Sequence, residues 1–338
     1  MLRIGAALLI ALAMTAERGS RMTDASATPS RDLLLVANKG DHTLGIIDPV
    51  AGRQVATVEE SGITGHEVIA SPDGRTAYVP IYGNSGVGRP GTDGQTMDVI
   101  DIASRRRVAT IDFGRPERPH HPLFGPDGRL YVTTEVTNTI TVIDPKTNQI
   151  VDRIPTGQPE SHMLVITRDG KRAYTSNAHA GTVSAIDLVA RTVTAVIPIS
   201  SYAQRIALSV DDAFAFTADQ TEPRLAVIDA RTNQRKQWVA LPGIAYGTAP
   251  TPDGRWLVIA LPSVNKVGVL DLASMQVART LDVPKAPQEV VVRPDGRYAY
   301  VSCDASRQVA VIDLKDWKVD RLIDAGPLAD GLAWASGR

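Results

Sequence analysis

The sequence has little cysteine and no excess of charge of either sign. Its single cysteine, Cys303, excludes a disulfide framework within the 338 residues and any metal site built from several cysteines. The 36 Lys+Arg against 37 Asp+Glu give a net charge of −1, which argues against a surface devoted to nucleic acid or anionic membrane. With 43% hydrophobic and 22% charged residues, the chain is typical of a globular protein, so enzymes and binding proteins both remain open.

No apolar run near the start is long enough to span a bilayer. The run from Ile4 to Ala16 follows Arg3 and fits the hydrophobic region of a secretory signal, although an uncleaved anchor is the alternative. Small-x-small cleavage sites occur at 11–13 and 25–27. We therefore predict a signal peptide over 1–27, a linker over 28–31 and one domain over 32–338, in a periplasmic or secreted protein. A lone cysteine is compatible with that oxidising space.

A repeat of about 42 residues runs through the predicted domain. Its first marker is an apolar pair followed by Asp, and its second is a turn of the P-D-G type. The repeated aspartates are Asp48, Asp101, Asp144, Asp187, Asp229, Asp271 and Asp313. Regular recurrence at this period indicates a repeat architecture with seven units.

Each unit predicts four short strands separated by turns. β-Branched residues alternate with others, and there is no long stretch of helical period, so the fold is all-β. Seven units of four antiparallel strands form a seven-bladed β-propeller. The chain enters at a second strand, Leu33 to Val36, and ends with an extra first strand, Gly331 to Trp334. We expect that last strand to complete the first blade and close the ring.

The second strands carry Tyr-Val-Thr-Asn-like stretches beside the P-D-G turns. They are Tyr131-Val132-Thr133-Thr134, Tyr174-Thr175-Ser176-Asn177 and Tyr300-Val301-Ser302-Cys303. In these residues the chain resembles the YVTN-repeat β-propeller family. The resemblance implies an exported propeller of the superfamily that includes surface-layer proteins, lactonases and haem-d1-binding propellers. No motif here matches the catalytic residues of those subfamilies, and fold alone does not give function.

One repeat position predicts a ring of side chains at a channel mouth. It lies five residues before each turn marker and is occupied by His66, His120, His162, Gln204, Tyr246, Gln288 and Asp330. Three imidazoles from consecutive blades are a ligand set suited to Zn, Cu, Ni or Fe, so we predict a divalent metal on His66, His120 and His162. The alternative is that these histidines bond only water and neighbouring loops.

Further candidates surround this predicted site. Glu67 or His121 would be the base if the site is catalytic. The residues predicted to bind a ligand are Gln204, Arg205, Tyr246, Gln288, Asp330 and Glu160. A second set after each second strand shares this face and is flanked by Lys39, Tyr82, Glu135, His179, Gln220 and Asp304.

The first repeat interval is longer than the others because it holds a Gly-rich insertion at 83–95. The insertion leaves from the predicted histidine face, so it is either a lid over the site or a plain surface loop. Its G-x-G-x-x-G pattern at Gly86, Gly88 and Gly91 lacks the following helix that a dinucleotide site needs.

The sequence leaves two main functional hypotheses. The first is a ligand or metal site at one channel mouth, with metal-assisted hydrolase or lyase action on a small polar molecule if the protein is an enzyme. The alternative is a non-catalytic periplasmic or cell-surface protein that binds a partner or forms a scaffold. The partner at the channel-mouth face would be a small polar molecule or a protein, and nucleic acid is disfavoured by the charge balance.

Overall fold

The computed structural model describes residues 1–2, 32–84 and 86–337. The predicted signal peptide over 1–27 and linker over 28–31 therefore lie almost wholly outside the described residues. Twenty-eight strands, β1–β28, form seven four-stranded antiparallel sheets. The predicted seven-bladed β-propeller is confirmed.

The blades follow one another along the chain. Blade two is β4(Ile69–Ala70), β5(Thr76–Pro80), β6(Thr96–Asp101) and β7(Arg106–Asp112). Blade three is β8(Pro119–Phe124), β9(Leu130–Thr134), β10(Thr139–Asp144) and β11(Gln149–Pro155). Blade four is β12(Ser161–Ile166), β13(Arg172–Asn177), β14(Thr182–Asp187) and β15(Thr192–Pro198).

The remaining complete repeats form three more blades. Blade five is β16(Ala203–Leu208), β17(Phe214–Asp219), β18(Arg224–Asp229) and β19(Gln234–Ala240). Blade six is β20(Thr248–Pro250), β21(Trp256–Leu261), β22(Lys266–Asp271) and β23(Gln276–Asp282). Blade seven is β24(Pro287–Val292), β25(Tyr298–Cys303), β26(Gln308–Asp313) and β27(Lys318–Asp324).

Blade one is shared between the two ends of the described domain. It combines β1(Leu33–Asn38), β2(Thr43–Asp48) and β3(Arg53–Glu59) with β28(Ala329–Ala335), which pairs antiparallel with β1. Leu35 lies opposite Ala333 in that pairing. The predicted closure of the ring by the last strand is therefore confirmed.

The turn markers have the local chemistry that their residues dictate. Asp73 accepts hydrogen bonds from the Ser71 hydroxyl at 2.6 Å and the Arg75 N–H at 3.2 Å. Gly74 adopts φ 69°, a conformation that favours glycine. A Cβ on Gly74 would also collide with the backbone oxygen of Ser336, so the turn packs closely against the end of blade one. These turns connect each first strand to the second.

The core lies between neighbouring blades. Leu225 on blade five and Leu257 on blade six, for example, are fully buried in one cluster. First strands of adjacent blades contact one another around the centre, which makes them the wall of the channel. Within the described part of the chain, there is no helix with the length and apolar character needed to cross a membrane.

Candidate functional site

The predicted ring positions lie together at one end of the channel. Five of them fall within first strands, whereas β4 and β20 are short and His66 and Tyr246 lie just before them. Hydrogen bonds and ring contacts connect His66 to Gln204 through the intervening blades. The repeat position therefore selects residues at one level of the channel wall.

The three histidines form a continuous row, which we call the histidine row. The ring centroids of His66 and His120 are 5.7 Å apart in an edge contact, and those of His120 and His162 are 3.8 Å apart and stacked. His120 Nδ1 lies 3.2 Å from the backbone oxygen of His162. His162 Nε2 lies 3.0 Å from Gln204 Nε2. The structure thus brings all three predicted metal ligands into contact.

The electrostatic environment keeps the histidine row neutral. His120 and His162 are 2% and 1% exposed. Burial lowers the pKa of His120 well below its usual value, and the neighbouring histidines lower it further. Burial likewise lowers the pKa of His162 and brings that of His66 to about 3. At neutral pH each imidazole therefore retains a nitrogen lone pair.

A tyrosine and a carboxylate border the histidine row. The Tyr82 ring lies 4.6 Å from His66 and 5.1 Å from His120, centroid to centroid, and its hydroxyl donates to Glu135 Oε2 at 2.5 Å. Glu135 Oε2 is also 3.7 Å from His162 Nδ1. Although burial opposes it, these contacts lower the pKa of Glu135 to about 2. Glu135 is therefore an ionised acceptor directly beside the row.

The insertion is attached to the same carboxylate. The Gly88 N–H donates to Glu135 Oε1 at 3.1 Å, and Arg118 Nη1 donates to that oxygen at 3.1 Å. Arg118 also donates to the Arg89 backbone oxygen at 2.7 Å and to Asp93 Oδ1 at 2.5 Å. The insertion at 83–95, of which Ser85 is outside the described residues, therefore extends from blade two over blade three.

A cleft of about 370 Å³ separates the insertion from blades three and four. Its lining includes Arg118, Glu135, Asn138 and Glu160. Glu160 accepts from His179 Nδ1 at 2.6 Å and from the His179 N–H at 2.8 Å. The predicted ligand-binding residue Glu160 thus lies at the rim of the cleft, one layer outside the histidine row.

The residues one step further along the first strands make a different ring. It contains Glu67, His121, Met163, Arg205, Gly247, Glu289 and Gly331. Arg205 Nη1 donates to Glu67 Oε1 at 2.6 Å and to Glu289 Oε2 at 2.5 Å, and Arg205 Nη2 lies 3.4 Å from Asp330 Oδ1. We call Arg205, Glu67, Glu289 and Asp330 the charge cluster. The Tyr246 ring stacks on Arg205, with 4.4 Å between guanidinium carbon and ring centroid.

The backbone helps to aim Arg205 at the centre. The pairing of β16 with β17 is interrupted between Gln204 and Ile206, and Arg205 has φ 59°, in the left-handed region. A bulge of this kind redirects a side chain at a small conformational cost. The bulge therefore brings one guanidinium within reach of carboxylates from three other blades.

One arginine does not balance three carboxylates, of which Glu67 and Asp330 are buried and Glu289 is partly buried. Burial, together with Glu289 and Asp330, raises the pKa of Glu67 to about 8 even though Arg205 opposes the shift. Burial also raises the pKa of Glu289. Burial pushes the pKa of Asp330 upwards as well, but Lys39, whose Nζ lies 2.9 Å from Asp330 Oδ2, and Arg205 outweigh it and lower that pKa. Glu67 and Glu289 are therefore the carboxyl groups of the cluster whose pKa is raised, whereas that of Asp330 is lowered.

The two predicted catalytic residues do not line the cleft beside the insertion. Glu67 is bound by Arg205 in the charge cluster. His121 Nδ1 accepts the Leu164 N–H at 3.3 Å, and His121 borders a separate cavity within the channel. Gln288 is half-buried, and its Nε2 lies 3.4 Å from the Ala286 backbone oxygen. A catalytic role for Glu67 or His121 stays a prediction.

Sequence reasoning missed Glu289 and Arg118. Glu289 belongs to the same repeat column as Glu67 and Arg205, so reading that column around the ring would have indicated an ion cluster. Arg118 precedes the ring position by two residues and has no such repeat signal, because its partners lie in the unrepeated insertion. Its role becomes visible only in three dimensions.

The fold and site define a class of protein: a seven-bladed β-propeller whose channel is crossed by a histidine row and a charge cluster. The family model of the Cytochrome D1 heme domain matches residues 125–332. This match covers more than half of the chain, and the chain belongs to that family.

Individual relatives are more distant. The seven-bladed beta-propeller protein Rv1057 of Mycobacterium tuberculosis is 31% identical over 139 residues, which is 40% of this chain and 32% of that protein. The match thus spans about a third of the length of this curated relative. The comparisons support the propeller superfamily, and the finer YVTN resemblance stays a prediction.

Two solved structures show the same fold at low identity. Hydrazine synthase of Kuenenia stuttgartiensis has a TM-score of 0.72 at 19% identity, covering 88% of this chain and 99% of that one. A functionally unknown protein from Desulfotomaculum acetoxidans has a TM-score of 0.74 at 13% identity, covering 90% and 99%. At these identities the likeness concerns the fold alone.

The family raises the question of haem. Haem iron needs an imidazole nitrogen that faces an open, flat slot. His120 and His162 stack on each other, and Tyr82 packs against the edge of His120. These residues as arranged do not fit a haem, so no haem chemistry is assigned to them.

A ready-made metal centre is also absent from residues 32–84 and 86–337, where no three His, Cys, Asp or Glu side chains lie in a metal-holding group. In the histidine row, the stacked rings of His120 and His162 direct their nitrogens along nearly parallel planes, 29° apart. Coordination by all three imidazoles would require at least one ring to turn.

Proposed function

We propose that the protein is an exported binding propeller whose histidine row holds a divalent transition metal ion. The observation that carries this proposal is the contact between three neutral imidazoles on consecutive blades. Neutral imidazole is the form that ligates Zn, Cu, Ni and Fe. His162 Nδ1 is buried and makes no hydrogen bond within the described residues, with Glu135 Oε2 3.7 Å away.

Glu135 would orient the metal-ligating ring. Carboxylates beside a ligating histidine fix its tautomer and increase its basicity. Glu135 Oε2 lies 3.7 Å from His162 Nδ1 and is itself held by Tyr82 and Arg118. The same carboxylate anchors the insertion, so the insertion would shield the bound ion from exchange with solvent.

We propose binding rather than catalysis. A general base must reach the substrate proton within hydrogen-bond distance. Glu67 is engaged by Arg205 and His121 borders another cavity, so neither is placed to act on a molecule in the cleft beside the insertion. Hydrolase or lyase action remains the less supported form of the metal hypothesis.

Elemental analysis of protein purified without a histidine tag or chelator tests the proposal. We expect about one metal ion per chain in the wild type, and loss of that metal in the His66→Ala/His120→Ala/His162→Ala variant. The matched control is His42→Ala/His179→Ala, which removes two exposed histidines outside the row. It should keep the metal.

Circular dichroism must show that each variant is folded before the metal contents are compared. No bound metal in the wild type, even after incubation with Zn, Cu, Ni and Fe(II), would refute the proposal. Equal metal in all three proteins would place the ion outside the histidine row.

The second candidate is binding of a small polar molecule in the cleft beside the insertion. It is favoured by the cleft volume of about 370 Å³ and by its mixed lining of Arg118, Glu135 and Glu160. Native mass spectrometry of the purified protein should then reveal a bound mass that disappears when residues 86–92 are replaced by two glycines. A bound mass that survives this replacement would exclude the cleft.

The proposed location outside the cytoplasm depends on the predicted signal peptide. Intact-mass measurement of full-length protein produced with its own N-terminus should show removal of a segment ending near residue 13 or 27. An intact N-terminus in a membrane fraction would instead indicate an uncleaved anchor.

A further inference from the structure

The channel changes character beyond the charge cluster. Two residues further along each first strand, the repeat places only apolar side chains: Ile69, Leu123, Val165, Ala207, Ala249, Val291 and Ala333. Leu123, Val165 and Ala249 are half-buried rather than buried, and they help to line a cavity of about 220 Å³. The cavity extends from Arg205 towards Leu208, that is, towards the turn-marker end of the strands. It is therefore distinct from the cleft beside the insertion.

The floor of this cavity presents two hydrogen-bond donors. Arg205 borders the cavity, is 2% exposed, and its Nε has no hydrogen-bond partner within the described chain. Because His121 Nδ1 accepts the Leu164 N–H, the proton of the neutral ring lies on Nε2. The unpaired Arg205 Nε is a buried donor, which is costly, so an acceptor at this floor would stabilise the site.

We propose that the turn-side half of the channel is a binding site for a small, uncharged molecule with an apolar body and one hydrogen-bond acceptor. The apolar ring receives the body, and Arg205 and His121 donate to the acceptor. Aliphatic cavities of about 150 Å³ are large enough to bind benzene, so the volume suits a six-membered ring with one substituent.

The surrounding charges select against ionic ligands. Arg205 already faces Glu67, Glu289 and Asp330, so an added anion would compete with three carboxylates for the guanidinium. The charged side chains that line this cavity are Arg205 and Glu289, and they pair with each other at 2.5 Å, so a cation at Glu289 would have to displace the guanidinium. An uncharged acceptor such as a ketone oxygen avoids both kinds of competition.

A matched set of cyclohexyl probes tests this specificity. We would measure binding of cyclohexanone, cyclohexanecarboxylate, cyclohexylammonium and methylcyclohexane to the full chain by ligand-observed NMR, in buffer containing EDTA. Cyclohexanone should bind with a dissociation constant in the high-micromolar to millimolar range. The two charged probes should bind at least about tenfold more weakly, and methylcyclohexane about three- to tenfold more weakly because it lacks the acceptor.

Filling the cavity should remove binding without touching the polar floor. Ala249→Leu adds volume at the channel wall, and the matched control Ala190→Leu adds the same volume at an exposed position. We expect at least a tenfold loss of cyclohexanone affinity for Ala249→Leu and no change for Ala190→Leu. If Ala249→Leu fails to fold, Leu123→Phe is the second filling variant.

The outcomes separate this site from the histidine row. Cyclohexanone affinity should be unchanged in the His66→Ala/His120→Ala/His162→Ala variant, whatever that variant does to metal content. Preferential binding of cyclohexylammonium or cyclohexanecarboxylate would overturn the proposal, as would undetectable binding of cyclohexanone. Equal binding of cyclohexanone to Ala249→Leu and wild type would place the ligand elsewhere.

Discussion

Glu67, Arg205 and Glu289 of the charge cluster lie one residue beyond the repeat position of the histidine row, yet the row and the cluster are held together by different forces. His66, His120 and His162 meet through neutral ring contacts. Arg205 and Glu67, at the next position, meet as a buried ion pair. A neutral row can rearrange around a ligand at modest cost, whereas buried charges hold their partners in place. A single step along the strand therefore separates a site suited to binding from a contact that fixes the channel.

Removing the Arg205 guanidinium should have the largest effect on stability of all the changes that distinguish the two regions. Arg205→Met would leave Glu67, Glu289 and Asp330 without their shared counterion. We expect a loss of about 3–5 kcal/mol in the free energy of unfolding, measured by urea titration. The double variant Arg205→Met/Glu289→Gln should recover part of that loss, since it removes one of the uncompensated charges.

The control for this experiment is Arg168→Met. Arg168 Nε lies 3.5 Å from Asp212 Oδ2 and the arginine side chain is 66% exposed, so its removal should cost less than about 1 kcal/mol. A loss for Arg205→Met no larger than that of the control would mean that the charge cluster does not stabilise the channel.

The two regions should respond to pH in opposite directions. The pKa of His120 is lowered in the folded state. Its contribution to the free energy of unfolding is therefore fully present above pH 6.5 and is lost as the pH falls. Glu67 has its pKa raised to about 8, so its contribution is fully present below pH 4.5 and is lost as the pH rises through 8. In the wild type, His120 should therefore reduce the free energy of unfolding as the pH falls, and Glu67 should reduce it as the pH rises.

Variants separate these two penalties. Between pH 6.5 and 4.5, His120→Gln should lose about 2–3 kcal/mol less of its free energy of unfolding than the wild type. Between pH 4.5 and 8, the wild type should lose about 2–4 kcal/mol of its free energy of unfolding, and Glu67→Gln should not show this loss. Both curves are measured by urea unfolding in EDTA. Parallel curves for the wild type and either variant would contradict the corresponding assignment.

A smaller effect is expected at the border of the histidine row. Tyr82→Phe keeps the ring against His66 but removes the hydrogen bond to Glu135, which Arg118 and Gly88 still hold. We expect a loss of about 1–2 kcal/mol and faster tryptic cleavage at Arg89 in the insertion. The control is Tyr300→Phe, since the Tyr300 hydroxyl bonds to no group among the described residues. Equal stability losses in the two variants would show that the bond to Glu135 is not what matters.

The level of each residue along the channel could be predicted from the sequence, but its partner across the channel could not. The recurring Asp and P-D-G turns act locally, so the seven blades and the ring position of His120 follow from the repeat. Glu67 and Arg205 are 138 residues apart, and their contact depends on the left-handed φ of 59° at Arg205, which the residues at the same repeat position of the other blades do not share. The repeat also gives no information about the insertion, so the roles of Arg118 and Gly88 were not predictable.

The pairing of β28 with β1 has a consequence for the order of folding. Blade one cannot be completed until Ala329–Ala335 is available, and the Gly337 N–H then bonds to Asp32 Oδ1 at 2.8 Å. Gly331 also donates to the His66 backbone oxygen at 3.0 Å, so the same late strand supports the first histidine of the row. A chain interrupted before residue 329 would lack both contacts. The closing strand thus makes both the completion of blade one and the backbone support of His66 dependent on a segment about 290 residues further along the chain than β1.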